Sequence, residues 1–285
     1  MAIEEIQQVL LRHFDEHQHS TGQKSLPIDA RVAQIYDEID QLELETQVEK
    51  FSLSTSAGPG DDTTNETISR TLLHFMDCSV ATEVSSDSKE SIERIQELMG
   101  AVAARRVAVA TTLLGDRLLP LSVVLLERVR SAACRCIGWL VKYLFEAESM
   151  DLQELEALLD TSSQALVPRF TDKAQSVRQA AIEASRYFFL GSNKGGSEED
   201  VDDPDIRQAL QWSLQHDPSV TNRVAALDSI PVTLQTMDVI LARVRDVKSK
   251  VRVAAVTTLR NKLGDIRQWE PEQCAELVEA GLTDR

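Results

Sequence analysis

The chain has 285 residues and a formal net charge of −16, and 42% of its residues are hydrophobic while only 5% are aromatic. The low aromatic content disfavours a sheet-rich fold and favours helices built from Leu, Ala and Val. The acidic charge argues against a simple nucleic-acid binder, and no apolar stretch is long enough to predict a membrane span. Four cysteines without a regular spacing indicate a reducing, intracellular compartment.

Residues 1–124 are predicted to form an N-terminal helical region with disordered linkers near 52–65 and 79–91. Both linkers combine Gly, Ser, Thr and acidic residues with few apolar side chains. Such a composition buries too little apolar surface to offset the entropy of ordering the chain. The linkers are therefore expected to separate blocks of helix.

The segment His13-Phe14-Asp15-Glu16-His17 matches the H-x-x-E-H pattern of inverted zinc proteases. Two His at i and i+4 share a helix face and are able to hold zinc, with Glu16 as the base. No third-ligand segment is recognisable, however, and no Gly-rich phosphate loop occurs elsewhere. We therefore predict no catalytic residue, no metal site and no cofactor, and the chain is not expected to be an enzyme.

Three segments in the second half of the chain share one pattern, in which an Asp precedes an Arg by six residues and two consecutive Ala follow the Arg. The pairs are Asp172 with Arg178, Asp217 with Arg223, and Asp246 with Arg252. A fourth copy around Arg130 has the Ala pair but lacks the Asp. Successive Arg are 48, 45 and 29 residues apart, and spacings near 45 are typical of HEAT repeats.

The predicted fold is therefore all-α, an α-solenoid of HEAT repeats in which antiparallel helix pairs stack. The repeat array covers 125–285, with an acidic, Gly-rich loop at 191–203. It is predicted to be truncated at its C-terminal end, because Asp284 occupies the Asp position of a further repeat and the chain stops before the Arg expected six residues later.

The Asp and Arg positions suggest a structural role. The Asp is expected to lie in the turn between the two helices of a repeat and to cap the second helix. The Arg is expected to pair with its own Asp or with that of the neighbouring repeat. Asp172, Arg178, Asp217, Arg223, Asp246 and Arg252 are thus predicted to form a ladder along the stack. The Ala pairs are expected to let neighbouring helices approach closely.

The final part of the chain resembles the HEAT-repeat non-SMC subunit of condensin, the subunit 3 or CAP-G family. The resemblance depends on RVRDVKSKVR at 243–252, where the family has R-x-x-D-V-K-x-x-V-R, and on GLTDR at 281–285, where it has GL-x-DR. Residues 125–190 match more loosely. By this resemblance the chain is the N-terminal part of such a subunit.

The resemblance implies a non-catalytic subunit that binds double-stranded DNA together with the condensin kleisin subunit in mitotic chromosome condensation. It implies indirect contact with the SMC ATPase subunits through the kleisin, and no membrane or small-molecule substrate. It also implies location in the nucleus and on chromosomes, and partly in the cytoplasm outside mitosis.

Basic residues are concentrated in two parts of this acidic chain, 240–262 and 101–144. Rows of Lys and Arg on a rigid face bind phosphates, although such runs are more often only solvated helix surfaces. Arg252 belongs to the predicted ladder. The residues predicted to contact DNA are Arg243, Arg245, Lys248 and Lys250, which are taken to be free of structural duty, together with Arg105 and Arg106.

A second function remains open on the same fold. HEAT repeats also build protein-protein adaptors, of the phosphatase-scaffold or transport-receptor type, that bind no DNA. Retention of DNA in a salt-dependent manner would separate the two functions.

Overall fold

A computed structural model gives the fold and describes residues 2–19, 26–53, 61–81, 86–147, 150–190, 203–233, 235–262, 275 and 279. These residues are helical or irregular, and none of them lies in a β-strand. The helices are α1 (Ala2–His19), α2 (Ile28–Leu53), α3 (Asp61–Ala81), α4 (Ser86–Ala104), α5 (Val107–Leu113), α6 (Leu119–Ser122), α7 (Glu127–Leu144), α8 (Leu152–Leu166), α9 (Gln175–Ser185), α10 (Pro204–His216), α11 (Val220–Ser229), α12 (Met237–Arg243) and α13 (Ser249–Lys262).

Shorter helical segments extend some of these helices. A π-helical turn, Leu114–Leu118, joins α5 to α6, and 3-10 segments follow α8 at Val167–Thr171 and α9 at Arg186–Phe189. No helix in the described part of the chain is both long and apolar enough to cross a lipid bilayer.

Helix occupies those parts of the two predicted linkers that the structure describes. α3 begins at Asp61 and α4 at Ser86, so the described residues of 52–65 and 79–91 are helical. In α3, Ile68 and Leu72 are fully buried, and the Thr71 hydroxyl donates to the Thr67 carbonyl at 2.9 Å. A buried apolar face thus outweighs the polar composition. Residues 54–60 and 82–85 lie outside the described part, as does 191–202 of the predicted acidic loop.

The chain forms two compact units. The first comprises 1–124 and 139–162, and the second comprises 125–138 and 163–285. The division into domains at 124 and 125 stays a prediction, since α7 supplies residues to both units.

In the first unit, α1 packs against α2, α3 and α4, and α3 packs against α5. Phe14 and Phe75 stack with ring centroids 4.2 Å apart. The Tyr36 hydroxyl donates to the Val102 carbonyl at 2.7 Å, which ties α2 to α4. Among the described residues, the core of this unit is a cluster of helices around Leu10, Phe14 and Ile35.

In the second unit, helix pairs follow one another. α11 packs against α9, α10 and α13, while α10 packs against Val167–Thr171 and α12. The second helices of successive repeats, α9, α11 and α13, are therefore neighbours. Ala181, Ala226 and Ala255 are fully buried, as expected for small residues between closely packed helices.

Proline and aspartate define the start of α10. Pro204 is the first helical residue, and the carboxylate of Asp203 accepts the backbone N–H groups of Asp205 and Ile206, each at 3.0 Å. Proline fits this position because its missing N–H would have no helical partner.

Cys134 and Cys136 are both buried in α7, and burial raises the pKa of each thiol to about 12.

Candidate nucleic-acid interface

Each repeat Arg in the second unit joins two turns. Arg178 donates from Nη1 to the carbonyl of Asp172 in its own turn at 2.8 Å. It also donates from Nε and Nη2 to the Asp217 carboxylate of the next turn, at 2.7 and 3.3 Å. Arg223 repeats the arrangement, with the Asp217 carbonyl at 2.8 Å and the Asp246 carboxylate at 3.1 Å. The carboxylate partner thus belongs to the following repeat.

The looser repeat joins the same series. Arg130 donates to both carboxylate oxygens of Asp172 at 2.8 Å. Its Nη1 donates to the Leu125 carbonyl at 2.7 Å, five residues earlier, as Arg178 donates to the Lys173 carbonyl. Arg252 donates to the Asp246 carbonyl at 3.1 Å. Asp284, at the following Asp position, lies outside the described residues.

The three Asp carboxylates are stabilised in their charged form. Burial on its own would raise their pKa values. Burial is the largest single effect at each Asp, but the hydrogen bonds and the nearby arginine charges together outweigh it. The main bonds come from Arg130 at Asp172 and from Arg178 at Asp217, and from the Lys248 backbone N–H and Arg223 at Asp246. Each pKa therefore lies below its ordinary value, because a hydrogen-bonded charge is favoured over a neutral acid.

The predicted capping role of these Asp residues is wrong in detail. Asp172 and Asp217 accept the backbone N–H two residues later, from Ala174 at 2.9 Å and Ser219 at 2.8 Å. These bonds close a turn immediately before the helix. Ser219 itself caps α11 through the N–H of Asn222, and α9 has no side-chain cap. The Asp therefore shapes the turn rather than the helix end.

Arg243 is predicted to be free of structural duty, and the structure contradicts this. Its Nη1 donates to the Leu214 carbonyl at 3.1 Å and lies 3.5 Å from the Asp246 carboxylate. Arg169 is placed in the same way, 3.4 Å from Asp172. The signal that reveals this duty is a second repeated pattern, R-x-x-D, at 169–172 and 243–246.

Three of the residues at 243–250 that are predicted to contact DNA do face solvent. Arg245 is half exposed and pairs with Glu279 at 3.0 Å. Lys248 and Lys250 are exposed, and neither side chain makes an ion pair within the described residues. The Lys248 backbone N–H donates to Asp246 at 2.9 Å, so the turn that carries these lysines is fixed to the Asp–Arg series.

Lys262, also in the basic stretch, has a structural function that the sequence did not reveal. Its Nζ donates to the carbonyls of Asp228 and Ile230, at 2.7 and 2.8 Å. These carbonyls lie at the C-terminal end of α11, where an ammonium group is favoured by the helix dipole.

Arg105 and Arg106, the residues of the first unit that are predicted to contact DNA, differ in their exposure and in their partners. Arg106 donates to Asn65 and to Asp40, each at 3.1 Å, and lies over the Tyr36 ring. It therefore connects helices, and its contact with DNA stays a prediction. Arg105 is exposed. It lines an open cleft of about 390 Å³ together with Asp29, Val32, Ala101, Ala104, Tyr143, Glu146 and Ala147.

The H-x-x-E-H residues contact the protein itself. His13 Nε2 lies 3.2 Å from Glu38, and Glu16 accepts from Arg31 at 3.1 Å. His17 is buried, and neither ring nitrogen has a hydrogen-bond partner within the described structure. Across the described residues, no group of three or more His, Cys, Asp or Glu is arranged to hold a metal ion.

No protein-family model matches the chain, but two curated proteins are similar to it. Condensin complex subunit 3 of Schizosaccharomyces pombe is 30% identical over 160 residues, which cover 56% of this chain and 17% of that protein. Condensin complex subunit 3 of Xenopus laevis is 29% identical over 160 residues, or 55% of this chain and 14% of that protein. The chain thus spans less than a fifth of the length of these relatives.

A solved structure has the same fold. The crystal structure of the S. pombe condensin Cnd3-Cnd2 subcomplex aligns with a TM-score of 0.63 and 20% identity, covering 96% of this chain and 30% of the matched chain. The predicted all-α, HEAT-repeat fold class is confirmed. The resemblance to condensin complex subunit 3 inferred from the sequence motifs is confirmed as well.

Proposed function

We propose that this chain is part of a non-catalytic, condensin-type HEAT subunit that binds double-stranded DNA together with a kleisin subunit. The observation that carries the proposal is the basic turn at 246–250. Its exposed lysines, Lys248 and Lys250, follow an Asp that two neighbouring arginines hold in place. Fixed, solvent-facing bases on a chain of net charge −16 favour the phosphate backbone as the ligand.

The proposed DNA contacts differ from those predicted from the sequence. Arg245, Lys248, Lys250 and Arg105 stay in the set. Arg243 and Arg106 leave it, because their guanidinium groups are bonded to the protein and their side chains are mostly buried, whereas Arg245 is half exposed although it pairs with Glu279.

Similarity to condensin complex subunit 3, and to the Cnd3 chain of the Cnd3-Cnd2 subcomplex, supports a kleisin as the protein partner. We further propose that the SMC ATPase subunits are reached through this kleisin. On this proposal the protein acts on chromosomes in the nucleus during mitotic condensation.

The test is the affinity of the full 285-residue chain for a 30-base-pair duplex of about average composition, with and without the kleisin subunit of the same organism's condensin. The variant K248E/K250E is compared with R186E/R260E. The control changes the net charge equally at two exposed positions, Arg186 directly after α9 and Arg260 in the last turn of α13.

We expect K248E/K250E to weaken DNA binding by about tenfold or more at moderate salt, because each lost phosphate contact removes about 0.9 from the salt slope. The control should retain nearly all affinity. Equal affinities for the two variants would contradict the proposed site. A wild-type chain that binds the kleisin but no DNA would indicate the protein-protein adaptor instead.

A further inference from the structure

The four turns between paired helices of the second unit form one connected edge. We call 125–128, 172–176, 217–221 and 246–250 the turn edge. Arg130 joins the first of these turns to the second, Arg178 joins the second to the third, and Arg223 joins the third to the fourth. Because a single guanidinium bridges each pair of turns, their order and separation are fixed.

The charge of the turn edge is basic once these bonds are taken into account. The carboxylates of Asp172, Asp217 and Asp246 are neutralised by their guanidinium partners. The exposed acid that remains is Glu127. Against it stand four exposed bases: Arg128, Lys173, Lys248 and Lys250. None of the four side chains has an ion pair within the described residues.

The four bases lie where the helix dipole disfavours them. They fall in or just before the first turns of α7, α9 and α13, at the positive end of each helix. The first helices of the repeats show the opposite pattern, with Asp203 and Asp205 at the start of α10 and Asp238 at the start of α12. Helix stability therefore does not explain the bases, whereas an anionic ligand does.

The ligand must be long. Neighbouring helices lie about 8–10 Å apart, so no single small anion is able to contact bases on the first, second and fourth turns. A duplex presents a phosphate charge about every 1.7 Å of its axis and meets such a row continuously.

We propose that the whole turn edge is a track for the DNA phosphate backbone, with Arg128 and Lys173 as contacts beyond the cluster at 245–250. This inference rests on the proposed DNA-binding function and extends it from one turn to four. The backbone of Lys173 is fixed in this turn, because its carbonyl accepts a hydrogen bond from Arg178 at 3.3 Å.

An acidic polypeptide is the competing ligand, since Leu125 and Val247 are 89% and 86% exposed on the same edge and offer apolar anchors. Leu125 and Val247 occupy the same position in the first and fourth turns. In the second and third turns that position is taken by Lys173 and Pro218, and these turns expose no large apolar residue. The apolar anchors are therefore not continuous along the edge, and the row of bases favours DNA. Polyglutamate of matched charge separates the two ligands.

The test compares R128Q/K173Q with R186Q/R260Q in the full chain. The control removes two charges from the C-terminal ends of α9 and α13, at the far end of helices that begin on the turn edge. Binding to a mixed-sequence 30-base-pair duplex and to polyglutamate is measured by fluorescence anisotropy from low to moderate salt.

We expect R128Q/K173Q to lower DNA affinity about tenfold and the salt slope by about 1.8. Its melting temperature should be unchanged or higher, since unfavourable charges leave the helix starts. Polyglutamate should bind weakly to both variants and to the wild type. The control should behave as the wild type toward DNA.

Three results would overturn the inference. If K248E/K250E weakens DNA binding but R128Q/K173Q matches its control, the track fails while the proposed function stands. If the wild type binds no DNA, both fail. If polyglutamate binds as tightly as DNA and loses affinity equally in R128Q/K173Q, the edge binds acidic polypeptides.

Discussion

Buried arginines stabilise both compact units, but only in the second unit do they recur at a fixed place in the sequence. There, Arg178 and Arg223 each join their own turn to the Asp of the next repeat. In the first unit, Arg31 donates to the His13 carbonyl and to Glu16, and Arg106 joins Asp40 and Asn65. A charged contact can be predicted from the sequence when its partners recur at fixed positions in a repeat. The contacts of Arg31 and Arg106 belong to no repeat and could not be predicted in this way.

The largest expected effect concerns Asp217. Its side chain is fully buried and accepts from Arg178, from the Asn222 amide at 3.0 Å and from the Ser219 backbone. Asp217→Ala leaves a nearly buried guanidinium without its carboxylate, so we expect the free energy of unfolding to fall by about 3–5 kcal/mol. Urea denaturation followed by circular dichroism measures the change.

The matched substitution in the first unit is Asp40→Ala, which removes a carboxylate from Arg106. Asp40 has a side chain that is 60% exposed, and Arg106 keeps Asn65 and the Tyr36 ring. Here we expect a loss of about 0–1 kcal/mol, as for exposed ion pairs. Equal losses in the two variants would refute the view that repeat contacts are the more deeply desolvated ones.

The same contrast explains what the sequence predicts and what it does not. The Asp–Arg spacing locates Asp172, Asp217 and Asp246 in inter-helix turns, because the six-residue interval is local and repeated. It does not by itself distinguish Arg243 from Arg245, since both precede the same Asp. A second pattern, R-x-x-D, sets Arg243 apart together with Arg169, but it does not predict the bond to the Leu214 carbonyl. Arg106 and Lys262 are also unpredictable, because their partners lie 66 and 34 residues away with no pattern between them.

Acid should weaken the two units in different pH ranges. Burial, together with Arg31 and Arg94, lowers the pKa of His17 in α1 from 6.5 to about 4. A His whose folded pKa is depressed stabilises the fold fully above its unfolded pKa. We therefore expect the first unit to lose up to about 3 kcal/mol as the pH falls from 6.5 to 4.

The second unit should hold over that range. Its three Asp have pKa values below the ordinary 3.8, so their contribution is lost only as the pH falls further, through those lowered values. Native-state hydrogen exchange of α1 and α11 distinguishes the units, and His17→Leu should make the exchange of α1 less dependent on pH. An unchanged pH dependence in that variant would show that His17 is not the titrating group.

The last pair of substitutions tests the close helix packing of the second unit. A Cβ added at Gly138 would lie 2.8 Å from both the Cα and the Cβ of Ala184 in α9, neither of which is able to move without the backbone. We expect Gly138→Ala to lower the free energy of unfolding by about 1–3 kcal/mol through overpacking. Gly115 in the first unit has no atom within 4 Å of an added Cβ. Gly115→Ala should therefore stabilise the protein, by about 0.5–1 kcal/mol, since Ala restricts the unfolded chain and favours helix. Thermal melts of the two variants should shift in opposite directions, and a shift in the same direction would show that the α7–α9 contact relaxes without loss.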